Sequence, residues 1–139
     1  MNIALLGTRG IPASYSGFET CAEELGARLV QRGHQVTVYC RSHHIKLRDP
    51  CYRGMELVRL PSIQNKYLDT IVHTFLSVLH ASFRRFDIVL MFIVGNSLVS
   101  WIPRLTGKKV ILNVDGLDWR RKKWPLLAKK LIQVAEYLA

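Results

Sequence analysis

Asn2-Ile3-Ala4-Leu5-Leu6 runs into Gly7-Thr8-Arg9-Gly10-Ile11-Pro12, and a regular period resumes at Ser16-Gly17-Phe18-Glu19. A short apolar run, a glycine-bearing loop and a helix start, in that order, aim unpaired backbone N–H groups and a positive dipole end at one point where an anion can sit. The loop exceeds a minimal turn and has room to wrap around a ligand, and Gly7, Gly10 and Gly17 carry no Cβ to hold that ligand off the backbone. Ser16 and Glu19 have the spacing of a capping box, with an apolar face at Phe18, Cys21, Ala22, Leu25 and Leu29 and a terminator at Gly33. On this logic Glu19 caps the helix more readily than it acts on a substrate. Glycines after a first strand also mark tight turns in most α/β proteins, whether or not anything binds.

Beyond this unit the period alternates. Val36 to Cys40 and Glu56 to Leu60 read as strands, the second ended by Pro61. Tyr67 to Arg85 carries apolar residues at Leu68, Ile71, Val72, Phe75, Leu76, Val78 and Leu79, a helix of about five turns. Asp87 to Phe92 is a continuous apolar strand, Leu98 to Leu105 a short helix, Lys109 to Val114 a last strand, and Trp124 to Ala139 a last helix. The pattern predicts an α/β fold: a doubly wound, mostly parallel, Rossmann-like sheet of order 3-2-1-4-5. Ligands bind such sheets at the carboxyl ends of the strands, so the loops after Leu6, Phe92 and Val114 should ring one crevice, with Asn96 in the second of them.

The chain has 139 residues, 49% of them hydrophobic, which suits a single globular domain with a real core. No signal peptide is expected, since the apolar stretch at the start is short and Arg9 follows it. The longest apolar run, Ile88 to Ile102, is broken by Gly95-Asn96-Ser97 and falls short of the ~20 residues that span a bilayer. Cys21, Cys40 and Cys51 form no C-x-x-C pair and read as small buried hydrophobes in a reducing cytoplasm. His43-His44 is expected in a solvent-exposed loop, and His73 and His80 have no carboxylate at ligand spacing, so no metal is expected.

The net charge is +10, half of it in the last twenty residues, where Arg120-Arg121-Lys122-Lys123-Trp124 precede Lys129-Lys130. Such a cluster suits an anionic membrane surface, at ~1 kcal/mol per basic residue near the lipid, or a lipid diphosphate, and equally suits a solvated face. Nucleic acid is not expected, because neither a nucleic-acid-binding fold nor interleaved stacking aromatics appear.

Gly7-Thr8-Arg9-Gly10-Ile11-Pro12-Ala13 through Gly17-Phe18-Glu19-Thr20, then Gly33-His34-Gln35-Val36-Thr37-Val38-Tyr39, then Asn113-Val114-Asp115-Gly116-Leu117-Asp118-Trp119 and Lys123-Trp124, together resemble the N-terminal domain of a family 4 retaining glycosyltransferase of the GT-B fold. Within that family they most resemble the bacterial rhamnosyltransferase-like branch. The resemblance covers essentially the whole chain. It implies sugar transfer from a nucleotide-sugar, which is a substrate and not a cofactor, to a glycan or lipid-diphosphate-linked acceptor, with retention of the anomeric configuration. It also implies a location in the cytoplasm or peripherally at the inner face of the cell membrane.

In that reading residues 1–139 are the acceptor-side domain, without the C-terminal domain that holds most of the nucleotide, and the last helix stops with no glycine cap. Such a chain is expected to be inactive alone and to bind nucleotide-sugar weakly. The loop ending at Gly17 matches the family's glycine loop at the donor diphosphate, with Ser16 where a first glycine is frequent. Asp115-Gly116 falls where many members carry a histidine near the reacting sugar; an unprotonated aspartate accepts but does not donate, so it orients sugar hydroxyls. The candidate catalytic residues are therefore Asp115 and Asp118, on the sugar side, and the candidate diphosphate- and substrate-binding residues are Gly7, Arg9, Gly10, Ser16, Gly17, Glu19, Asn96 and Gly116. Arg120 to Trp124 form a membrane or acceptor patch. Two rivals stay open: a basic membrane-docking module, and an NADP-binding domain in which Arg41 takes a 2′-phosphate, although Gly7, Gly10 and Gly17 do not have G-x-G-x-x-G spacing.

Overall fold

A computed structural model describes residues 1–14, 16–65 and 68–114, together with Leu126, Lys130 and Val134. Its strands are β1 (Asn2–Leu6), β2 (Gln35–Arg41), β3 (Cys51–Tyr52), β4 (Met55–Leu60), β5 (Ile88–Phe92) and β6 (Lys109–Asn113), and its helices are α1 (Gly17–Gln31), α2 (Leu68–Phe83) and α3 (Trp101–Leu105). One sheet joins the strands in the order β3-β4-β2-β1-β5-β6. All neighbours from β4 to β6 are parallel, so the predicted order 3-2-1-4-5 is the observed order of the parallel strands.

The apolar strands run without polar alternation because both faces are covered. In β1, Ile3 and Leu5 join Ala22, Ala27, Val38 and Met55 under α1, while Ala4 and Leu6 join Tyr39, Val78, Ala81, Val89 and Met91 under α2. At its end α1 closes as a Schellman motif: Gly33 N donates to Val30 O at 2.9 Å and His34 N to Leu29 O at 3.1 Å, with Gly33 at φ +83°.

Four expectations are corrected. The antiparallel strand β3 extends the sheet edge through a two-residue turn at Arg53-Gly54, both at positive φ; two residues are too few to leave a period-2 signal. The helix expected over Leu98 to Leu105 is a 3₁₀ segment, Val94–Val99, followed by the five-residue α3. Of the three cysteines only Cys40 is buried; Cys21 and Cys51 are exposed.

The fourth correction concerns α2. Its sheet-facing side is His73, Thr74, Ser77, Val78 and Ala81, whereas Leu68, Ile71, Phe75, Leu79 and Phe83 are exposed. Small and polar side chains let the helix approach the sheet closely, and Ser77 Oγ returns its hydrogen bond to His73 O at 2.7 Å. Of the stripe that predicts the helix, Val78 is in the core, whereas Leu68, Ile71, Phe75 and Leu79 point away from it.

Candidate functional site

The strand order reverses between β1 and β5, so the crevice rule places a ligand over the loops that follow Leu6 and Phe92. Those loops touch. A Cβ on Gly7 would stand 2.4 Å from Phe92 O and 2.6 Å from Asn96 Nδ2, and Gly7 has φ +98°, so two independent constraints select glycine. Asn96 is buried and its amide donates to Phe92 O at 2.5 Å, which makes it the floor of the crevice. Ile93, just before it, holds φ +74°, a strained value for a β-branched residue, at the same edge.

Gly10, at φ +113°, has a different cause: a Cβ would lie 2.7 Å from both Cβ and Sγ of Cys40. Gly17 has neither constraint, for among the described residues nothing stands within 4 Å of its would-be Cβ. It opens on a shallow concavity of about 320 Å³ lined by Ala13, Ser14, Ser16, Gly17 and Thr20, at the N-terminus of α1. A larger hollow of about 520 Å³, bordered by Asn2, Gln35, Glu56 and Arg84, lies at the amino ends of the strands, away from the switch point.

Ser16 and Glu19 form the expected capping box, and Glu19 Oε2 accepts from Ser16 N at 2.6 Å. The buried Glu19 also accepts from Arg9 N at 3.4 Å through its other oxygen, so one carboxylate ties the glycine loop to the helix it feeds. Phe18 packs edge-on to Phe92 at 6.2 Å, fixing the first turn of α1 over the end of β5. Asn113 Nδ2 approaches Cys21 Sγ at 4.0 Å, so the end of β6 also arrives beside α1. Gly7, Arg9, Gly10, Ser16, Gly17, Glu19 and Asn96 therefore converge at the carboxyl end of the central strands. Asp115, Gly116, Asp118 and the Arg120-Arg121-Lys122-Lys123-Trp124 cluster lie outside the described residues, as does the last helix except for Leu126, Lys130 and Val134, which are helical and exposed.

A second cluster occupies the same carboxyl end of the sheet. Arg41, buried at the end of β2, donates to Asp69 Oδ2 at 2.6 Å and to Thr70 Oγ1 at 3.1 Å. His43 Nε2 and His44 Nε2 stand 3.6 and 3.5 Å from the same Asp69 oxygen, and Ser62 Oγ donates to the other. The histidine pair is thus partly buried against a carboxylate, not solvated as expected. Burial pushes the Asp69 carboxyl up, but the Ser62 hydrogen bond and the Arg41 charge outweigh it and hold it below the ordinary carboxylate value. Burial, then the charges of His43 and Arg9, push the His44 imidazole down. Three ligand atoms within 4.8 Å of one another have the spacing to hold a cation, but the Arg41 guanidinium already sits on the shared oxygen. An ion there would meet that charge at contact distance, so the cluster is an ion-pair network that orients Arg41. Asp69 and Ser62 are too far from His43 in sequence for spacing to have revealed it.

A mostly parallel, doubly wound sheet with an anion-ready helix N-terminus at its switch point defines a Rossmann-like α/β domain. A family model described as "Domain of unknown function (DUF1972)" matches residues 1–139, and the chain belongs to that family. This domain sits at the N-terminus of glycosyltransferases. No curated protein matches the chain.

Proposed function

We propose that this chain is the acceptor-side domain of a retaining GT-B glycosyltransferase that moves a sugar, rhamnose on its resemblance to the rhamnosyltransferase-like branch, from a nucleotide-sugar to a glycan or lipid-diphosphate-linked acceptor. The observation that carries the reading is the open backbone at Ser16-Gly17, at the start of α1, where no described residue stands within 4 Å of a would-be Cβ on Gly17. Family membership supports the glycosyltransferase setting.

Cleavage at the anomeric carbon sends the bonding electron pair to the departing diphosphate and leaves positive charge on the sugar. A helix N-terminus beside the first and a carboxylate beside the second both favour the transition state. In this reading α1 faces the diphosphate and Asp115 or Asp118 the sugar. Arg9 adds a charge-assisted hydrogen bond to a phosphate oxygen, its backbone held by Glu19. The NADP rival loses its anchor, because Arg41 is buried and spans Asp69 and Thr70 in place of facing a ribose phosphate.

The test uses the full-length protein: release of nucleoside diphosphate from dTDP-, UDP- and GDP-sugars in the presence of a lipid-diphosphate-linked acceptor. Acceptor-dependent release that falls on Gly17→Val supports the assignment. Consumption of no donor, alongside tight NADPH binding by the 139-residue chain, overturns it.

A further inference from the structure

The loop that feeds α1 is fastened by two carboxylates of that helix. Glu19 and Glu23 stand one turn apart on the same side of α1. Glu19 accepts from the N–H groups of Arg9 and Ser16, and Glu23 Oε2 accepts from Ala13 N at 2.7 Å. Ala13 is a wall of the concavity on which Gly17 opens, so the second carboxylate fixes a part of that wall that Glu19 does not hold. Glu23 is itself held from outside the helix. Its other oxygen, Oε1, accepts from Tyr52 Oη at 3.2 Å and from an Arg53 guanidinium nitrogen at 3.1 Å. Tyr52 ends β3 and Arg53 opens the turn to β4, so the antiparallel edge of the sheet reaches the loop through one side chain. The same hairpin rests on α1, where a Cβ on Gly54 would stand 2.8 Å from Val30 Cγ1.

The turn carries a second signal. Arg53 has φ +49°, a conformation that tight hairpins favour for Asn, Asp or Gly. Its guanidinium gives the arginine a use there, because the nitrogen that meets Glu23 also meets Glu24 Oε1 at 2.7 Å. An exposed ion pair adds little to stability. Its larger consequence is electrostatic: without Arg53, two neighbouring carboxylates would stand uncompensated close to a site for an anion and would repel a diphosphate. Three donors thus converge on Glu23, on two oxygens that both accept. A glutamine amide puts an acceptor at only one of those two positions.

We propose that Glu23, held by Tyr52 and Arg53, is a positioning residue for the diphosphate loop: the β3–β4 hairpin braces Ala13 through this carboxylate and neutralises its charge. The inference rests on the donor assignment above, which puts the diphosphate at Gly17. Released from Glu23, the loop samples positions other than the one that binds, so apparent affinity falls by the competent fraction while the bound state is unchanged. KM therefore rises and kcat holds. A variant that only destabilises the fold removes active enzyme, lowering kcat at constant KM.

The experiment uses the full-length protein and reads nucleoside diphosphate release against nucleotide-sugar concentration, with hydrogen exchange at the Ala13 amide measured alongside. Glu23→Gln and Arg53→Met should each raise KM at least fivefold with kcat within twofold of wild type, and Ala13 exchange should accelerate at least tenfold. Glu23→Gln separates position from charge: loss of a negative charge alone lowers KM for an anionic donor, whereas loss of the brace raises it. Arg53→Lys should restore KM and exchange to within twofold of wild type, because a single nitrogen makes both contacts and an ammonium can replace it. Arg84→Ala, which opens a comparable exposed pair with Glu56 at the amino ends of the strands, should change neither. Urea midpoints verify that the variants fold. A KM that is unchanged or lowered in Glu23→Gln overturns the positioning role, as does a fall in kcat at constant KM. Wild-type protein that consumes no donor overturns the transferase reading and this role together, an outcome that the variants' KM values cannot imitate.

Discussion

Arg41 and Asp69, 28 residues apart in sequence, meet at 2.6 Å at the end of β2 and the start of α2. The guanidinium is buried and its Nε has no partner, so the Asp69 carboxylate supplies most of its compensation. Asp69→Ala leaves that charge unpaired and should lower stability by roughly 3 kcal/mol, read from urea unfolding at neutral pH. Because the folded Asp69 titrates below its unfolded value, its contribution is complete above the ordinary carboxylate range and is lost as pH falls below about 4. An unchanged midpoint for the alanine variant would exclude this role.

His73 gives a second pH dependence at higher pH. Its ring is wholly buried on α2 with neither nitrogen suitably partnered, and burial pushes its pKa down to about 4. The unfolded chain binds this proton near pH 6.5, so stability should fall as pH drops from there to about 4 and level off below, by up to ~3 kcal/mol. His73→Leu removes the titration. Urea midpoints at pH 7 and pH 5 should differ for the wild type and differ less for the variant, the remainder including the lowered His44 imidazole.

The sheet was legible because a strand covered on both faces leaves an unbroken apolar run, and five such runs with alternating helices admit few topologies. The capping box was legible because its partners lie three residues apart. Periodicity announces that α2 is a helix but carries no sign for which side meets the sheet, and here small size at Ser77 and Ala81 outweighed hydrophobicity at Ile71 and Phe75. The pairing of Asp69 with Arg41, His43 and His44 depends on chain crossings that no local spacing records.

Two glycines of one loop should respond oppositely to a side chain. Gly10→Ala drives a methyl into Cys40 at a positive φ and should destabilise by about 2–3 kcal/mol. Gly17→Val places its side chain in open space, so its urea midpoint should stay within about 1 kcal/mol of wild type, allowing for the β-branched residue in a first helical turn. In the full-length protein the same valine should weaken donor binding at least tenfold, read by isothermal titration with a nucleotide-sugar. A valine variant that folds and binds normally would remove Gly17 from the site.

The cysteines provide a direct check on the packing beneath that loop. Cys40 is buried between Gly10 and the Ile11 carbonyl, and desolvation pushes its thiol pKa up to about 11, outweighing the Ile11 hydrogen bond and the Arg59 charge. Thiolate is the reactive form, so Cys40 should resist alkylation in the native state, while the exposed Cys21 and Cys51 react. Mass spectrometry after brief iodoacetamide treatment at pH 8 should find two modified sites, with the third appearing only in denaturant. Because Gly10 rests directly on Cys40, Gly10→Ala should accelerate labelling there, coupling loop geometry to core access. Rapid native labelling of Cys40 in the wild type would mean that the loop does not seal the end of β2.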